Sequence, residues 1–300
     1  MTTSETERLE GVMAVLVTPL DEDESVDEGA WRKLLRRVID GGCHAVVALG
    51  TAGEFATLND DEKRRALRIA VDEVAGQAPL IAGTGEPGTR RAVARTQEAA
   101  ALGVDAAMVV PPYYYPCDQE AVLVHYRTVA AEGGLPIVLY NIPQFTKVPL
   151  EVSTVASLAQ EPNIIGIKDS SGNLAGYQQL IAAAKSDTFS VITGSDHLVF
   201  ASLAVGGDGC IGTGMNLAPH WFVQLWEAAR AGRWDEAREL QTRIVGLHAG
   251  IAYGDFPAGM KAALELMGIG RGLVAAPRRS ATPAESERIA EALREMDLLA

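Results

Sequence analysis

The sequence predicts a (β/α)8 barrel with a helical C-terminal segment, and three observations carry that expectation. Eight short apolar runs recur between Val12 and Ile211, too continuously apolar for strands with one face in water. Stretches of helical period separate them, the alternation expected of parallel strands joined by crossover helices. Beyond Ile211 the strand signal stops and only helical pattern remains. The 300 residues would suggest two domains at about 150 residues each, but an α/β barrel reaches about 250 residues as one unit, and eight βα repeats favour a closed barrel over an open doubly wound sheet. The expected division is a barrel over residues 1–220 and a helical subdomain packed on it over residues 221–300.

In chain order the runs are Val12–Val17, Ala45–Leu49, Pro79–Ala82, Ala106–Val110, Pro136–Tyr140, Ile164–Ile167, Phe189–Ile192 and Gly209–Ile211. The first helical stretch sets Trp31, Leu34, Leu35, Val38 and Ile39 on one stripe and closes at Gly41, a capping residue. The same period returns over 62–74, 90–102, 121–131, 150–158, 174–184 and 197–205. After the eighth run, 221–231, 234–248, 257–267 and 282–299 read as helices. In the last, Thr282 is the N-cap, Pro283 lies in the first turn, and Ile289, Ala292, Leu293 and Met296 share a face.

Composition narrows the function classes. Apolar residues at 48% and charged residues at 22% exclude disorder, collagen and coiled coil. Lys and Arg total 26 against 39 Asp and Glu, a net charge of −13 that would repel a phosphate backbone, so no nucleic-acid partner is expected. No apolar run approaches the roughly 20 residues of a membrane span. The polar, acidic stretch Met1–Glu10 is unlike a secretion signal, which predicts a cytoplasmic protein without a membrane partner. Cys43, Cys117 and Cys210 are odd in number and far apart, and the five histidines show no close ligand spacing. Neither a disulfide framework nor a metal site is expected.

In a barrel, chemistry sits where strands end and βα loops begin. Lys168 ends the apolar run Ile164–Ile167, and Tyr140 ends Ile137–Leu139. Burial disfavours the charged form of any lysine, and the neutral amine is the form that attacks a carbonyl. Only six lysines stand beside twenty arginines, so a lysine here suggests that losing the proton matters. The plainer alternative is a lysine paired with Asp169. Tyr140 could donate and accept protons as a phenol. Gly50-Thr51-Ala52-Gly53-Glu54 offers consecutive backbone N–H groups and a hydroxyl at a strand-to-loop turn, a cradle for a carboxylate. Gly83-Thr84-Gly85-Glu86-Pro87-Gly88 matches a dinucleotide-binding spelling, but it follows the third strand instead of the first, and Pro87 sits beside the glycine that helix packing would need. A turn at a barrel rim accounts for it, and no cofactor is expected.

Taken in order, GTAGE (Gly50–Glu54), PPYYYP (Pro111–Pro116), YNIP (Tyr140–Pro143), GIKDSSG (Gly166–Gly172), GSD (Gly194–Asp196) and GGDGCIGTGMN (Gly206–Asn216) resemble the dihydrodipicolinate synthase and N-acetylneuraminate lyase family over essentially the whole chain. The resemblance implies a (β/α)8 class I aldolase, usually a homotetramer, that binds pyruvate as a Schiff base. It implies that Lys168 is the Schiff-base lysine and Tyr140 the proton-relay phenol. It further implies that Thr51 and the Ala52 backbone hold the pyruvate carboxylate, that Tyr114 reaches a neighbouring subunit's site, and that Asp196, Ile211 and Thr213 contact substrate. Two positions depart from the synthases: Ala52 replaces the second threonine of their GTTGE motif, and Phe145 replaces the arginine two residues after the proline of YNxP. His197 stands where sialate lyases have a glutamate. The expected activity is therefore cleavage or formation of a 4-hydroxy-2-oxo acid from pyruvate and an aldehyde, nearest the sialate lyases and 2-keto-3-deoxy sugar acid aldolases. The alternatives are a sugar-acid dehydratase, 4-hydroxy-tetrahydrodipicolinate synthase and, from another class, a non-catalytic pyruvate-binding protein.

Overall fold

A computed structural model describes residues 9–299, so most of the Met1–Glu10 stretch lies outside the described residues. Eight parallel strands close into a barrel in chain order: β1 Gly11–Val15, β2 Ala45–Ala48, β3 Leu80–Gly83, β4 Ala106–Val109, β5 Ile137–Asn141, β6 Ile164–Asp169, β7 Ser190–Thr193 and β8 Gly209–Gly212. Every expected strand is present. Nearly all their residues are buried, as strands packed between a barrel interior and a helical layer must be.

The helices are α1 Glu28–Asp40, α2 Asp60–Val74, α3 Thr89–Leu102, α4 Gln119–Glu132, α5 Pro143–Thr146, α6 Val152–Leu158, α7 Leu174–Ala184, α8 Val199–Ala204, α9 Pro219–Arg230, α10 Trp234–Gly250, α11 Ala258–Leu266 and α12 Pro283–Glu295. Of the stripe on α1, Trp31, Leu34, Leu35 and Val38 are buried and Ile39 is half-buried, and the Trp31 indole N–H donates to the Ala66 carbonyl at 3.0 Å. Burying each large apolar side chain of that stripe contributes roughly 1.5–3 kcal/mol. In α12, Thr282 and Glu285 form a reciprocal capping box. This helix ends earlier than its pattern suggests, because Asp297 turns left-handed at φ 58°. The single turn α5 was not foreseen; Pro143 opens it and Lys147, at φ 60°, closes it before any period could show.

By contacts the chain divides into two compact units. One comprises residues 9–11 with Thr84–Ala101 and Asp105–Ile211. Its core joins Tyr126 and Val129 of α4, Val155 and Leu158 of α6, and Tyr177 of α7 to the buried strand residues Ile137, Leu139, Ile167 and Val191. The other comprises Val12–Gly83, Leu102–Val104 and residues 212–299, so the C-terminal helices belong to the same unit as the first three strands. At Gly83 a Cβ would lie 1.9 Å from the Leu49 carbonyl oxygen. Crowding between neighbouring strand ends therefore explains the first glycine of the dinucleotide-like spelling.

Candidate active site

Strands β5 and β6 run in register, pairing Tyr140 with Lys168 and Asn141 with Asp169. The pairing extends one step past Tyr140 and two past Ile167, so both strands are longer than their apolar runs; the added residues are polar but still bonded in the ladder. Lys168 is 3% exposed, and its Nζ lies 4.1 Å from the centre of the Tyr140 ring. A cation held over an aromatic face gains electrostatic attraction without a counter-charge.

The plainer alternative for Lys168 does not match this geometry. Alternation along β6 sends Lys168 and Asp169 to opposite faces. Asp169 instead accepts from Asn141 Nδ2 at 2.6 Å and from Ser171 Oγ at 2.7 Å. Burial pushes the Asp169 carboxyl above its usual range, against these two hydrogen bonds. Lys168 has no ion-pair partner among the described residues. Its stem is confined by Gly194 just after β7, where a Cβ would lie 2.6 Å from Lys168 Cε and 3.1 Å from Cγ.

Asn141 was missed by sequence reasoning. Its Oδ1 accepts the Leu150 N–H at 3.0 Å while its amide donates to Asp169, so one side chain ties the chain returning from α5 to the end of β6. A polar residue immediately after a singled-out tyrosine was the available signal. In the same unit, Ile211 is fully buried in β8, and Asp196 is buried in a 3₁₀ turn following β7. Tyr114 is 82% exposed with φ 77°, and its ring meets that of Tyr115 edge-on with centroids 4.9 Å apart. Phe145, on α5, is 59% exposed, and Lys147 donates to the Gln144 carbonyl at 2.7 Å within the same turn.

The second unit holds Thr51, half-buried, and Ala52, buried, in the turn after β2. Leu49 at φ 55° and Glu54 at φ 62° bracket this turn, each a left-handed non-glycine costing about 1 kcal/mol or more. Thr18 Oγ1 donates to the Gly53 carbonyl at 2.8 Å. The Glu54 carboxylate accepts from the Ala275 N–H at 2.8 Å and from Arg278 Nη2 at 2.7 Å, and pairs with Lys261. Sequence reasoning missed both cations. Thr213, half-buried, follows β8 directly.

A closed parallel barrel with a buried lysine and a tyrosine side by side at adjacent strand ends defines a lyase of the class I aldolase kind, which works through a lysine Schiff base. The chain belongs to the dihydrodipicolinate synthetase family, whose model matches residues 8–296. It is 40% identical over 271 residues to an uncharacterised DapA-like lyase of Halobacterium salinarum, covering 90% of this chain and 88% of that one. It is 37% identical to the 4-hydroxy-tetrahydrodipicolinate synthase of Methanopyrus kandleri, covering 97% and 98%. Among solved structures it resembles the chloride-inhibited dihydrodipicolinate synthase of Acinetobacter baumannii complexed with pyruvate, at 33% identity and a TM-score of 0.92, covering 97% of this chain and 99% of that one. Among the described residues no helix is long and apolar enough to cross a membrane.

Proposed function

We propose that the protein is a cytoplasmic pyruvate aldolase that cleaves or forms a 4-hydroxy-2-oxo acid, with Lys168 as the Schiff-base residue. The observation that carries this reading is the buried Lys168 amine, without an acidic partner among the described residues, over the ring of Tyr140. The amine attacks the 2-oxo carbon and water leaves, giving an iminium that serves as the electron sink. Tyr140 gives its proton to the departing hydroxide and, as the phenolate, takes that of the 4-hydroxyl; the C3–C4 bond breaks, C4 leaves as an aldehyde, and the remaining enamine is protonated at C3 and hydrolysed to pyruvate. Addition to an aldehyde runs the same steps in reverse, and no cofactor is required.

In this reading Thr51 and the Ala52 backbone receive the pyruvate carboxylate, while Asp196, Ile211 and Thr213 contact the remainder of the substrate. Tyr114 acts across a subunit boundary in a homotetramer; its exposure beside Tyr115 supports a partner surface there. Phe145 and Ala52 favour a neutral or hydroxylated aldehyde, since they remove a carboxylate clamp and a relay hydroxyl. The second reading, the synthase direction with an anionic aldehyde, is favoured by the names of similar proteins such as that of Methanopyrus kandleri.

Incubation with pyruvate and borohydride tests the chemistry. A reduced pyruvyl mass on the peptide containing Lys168 is expected, and Lys168→Arg should abolish it because arginine keeps its proton. An adduct on a different lysine, or none on the wild-type protein, refutes the assignment.

A further inference from the structure

Glu54 is the only charged residue of the Gly50–Glu54 turn, and distant parts of its unit converge on it. Arg278, besides binding Glu54, donates to Thr57 Oγ1 at 2.8 Å and to the Phe256 carbonyl at 3.2 Å. Lys261, 3% exposed on α11, pairs with Glu54 and donates to the Leu273 carbonyl at 2.6 Å. Burial pulls the Lys261 ammonium below its ordinary value, against the attraction of Glu54. Apolar groups of similar volume often serve stability as well as buried ion pairs do, so stability alone is a weak account of this cluster.

The charges supply another account. An unpaired carboxylate at the end of a turn that receives an anion would repel it, whereas one carboxylate with two cations leaves a net charge of +1. The turn also holds two left-handed non-glycine residues, which persist only where surrounding contacts over-determine them. We propose that Lys261 and Arg278 are positioning residues: through Glu54 they hold the Thr51–Ala52 backbone in the strained turn and make its surroundings attractive to the substrate carboxylate. This rests on the carboxylate-binding role proposed above for that turn.

The test measures how Lys168 trapping depends on pyruvate concentration in wild-type protein, Lys261→Met, Arg278→Ala, Arg278→Lys and Ile289→Ala. The last removes buried volume from α12 and serves as a control for lost stability. Arg278→Ala and Lys261→Met should reach the same adduct at saturation, but with half-saturating pyruvate raised roughly fivefold to fiftyfold. Arg278→Lys should recover most of that loss, and Ile289→Ala should lower the melting temperature without moving half-saturation. Should Lys261→Met fail to fold, the part-exposed Arg278 carries the test. Half-saturation within about twofold of wild type in folded variants, or an equal rise in Ile289→Ala, overturns the proposal. Amide hydrogen exchange over residues 50–54, without substrate, is the second measurement. Exchange should be faster in Arg278→Ala, and unchanged exchange also overturns the proposal. Should wild-type protein give no Lys168 adduct, the Schiff-base assignment fails and the exchange result decides the positioning role by itself.

Discussion

Gly194→Ala isolates the confinement of Lys168. The new methyl would lie 2.0 Å from Ser170 Oγ, 2.6 Å from Lys168 Cε and 3.1 Å from Lys168 Cγ. The Ser170 hydroxyl ends a short side chain and can rotate away. Lys168 Cε cannot move without carrying Nζ off its place over Tyr140. Overpacking of this kind costs roughly 1–3 kcal/mol. If the displacement falls on the lysine, imine formation slows by roughly fivefold to 150-fold. The assay is the rate at which borohydride-trapped adduct accumulates at fixed pyruvate, read beside the melting temperature. Adding Ser170→Gly removes the shortest clash, so a rate still depressed in the double variant assigns the effect to the lysine stem. A single variant that melts lower yet traps within about twofold of the wild-type rate would refute the reasoning, because the strain would have been absorbed elsewhere.

Tyr140→Phe should keep the Lys168 adduct at equilibrium but lose roughly 10²–10⁴ in turnover, the worth of one positioned acid–base group; a loss under about tenfold means that the phenol is not the relay. His125 is buried with Nδ1 3.0 Å from Thr89 Oγ1, and burial pulls it from 6.5 down to about 4. Between those values the unfolded chain binds a proton that the folded chain does not, so stability should fall by up to about 3 kcal/mol as pH drops through the window. Urea midpoints at the two ends of the window should show this slope flattened in His125→Gln. Aspartate semialdehyde should be used at least about tenfold less well than a neutral or hydroxylated aldehyde, and Phe145→Arg should narrow the gap; kcat/KM for both aldehydes in both proteins decides it.

The eight strands were legible because a strand buried on both faces must be apolar throughout, and Lys168 and Tyr140 stood out because each interrupts such a run. That they are neighbours needs the β5–β6 register, which no local pattern encodes. The role of Asn141 was hidden in part for the same reason: its partner Asp169 meets it only once β5 and β6 are aligned, while Leu150 reaches it only after the α5 turn folds the chain back. The cations on Glu54 were illegible on different grounds. Arg278 lies 224 residues away, and one arginine among twenty carries no local mark of its partner.

The two buried lysines show what sequence reasoning lacked. Lys168 and Lys261 are both 3% exposed, so burial alone does not mark a nucleophile. Lys261 is engaged by Glu54 and by the Leu273 carbonyl. Lys168 is offered an aromatic face and, among the described residues, no carboxylate, because strand alternation turns Asp169 away to Asn141 and Ser171. An amine bound to a carboxylate and a carbonyl must leave both to approach a substrate carbonyl, whereas one resting over an aromatic face leaves neither behind. The strand-end position legible in the sequence singled out Lys168, and what separates it from Lys261 in the structure is the direction in which its neighbour's carboxylate points.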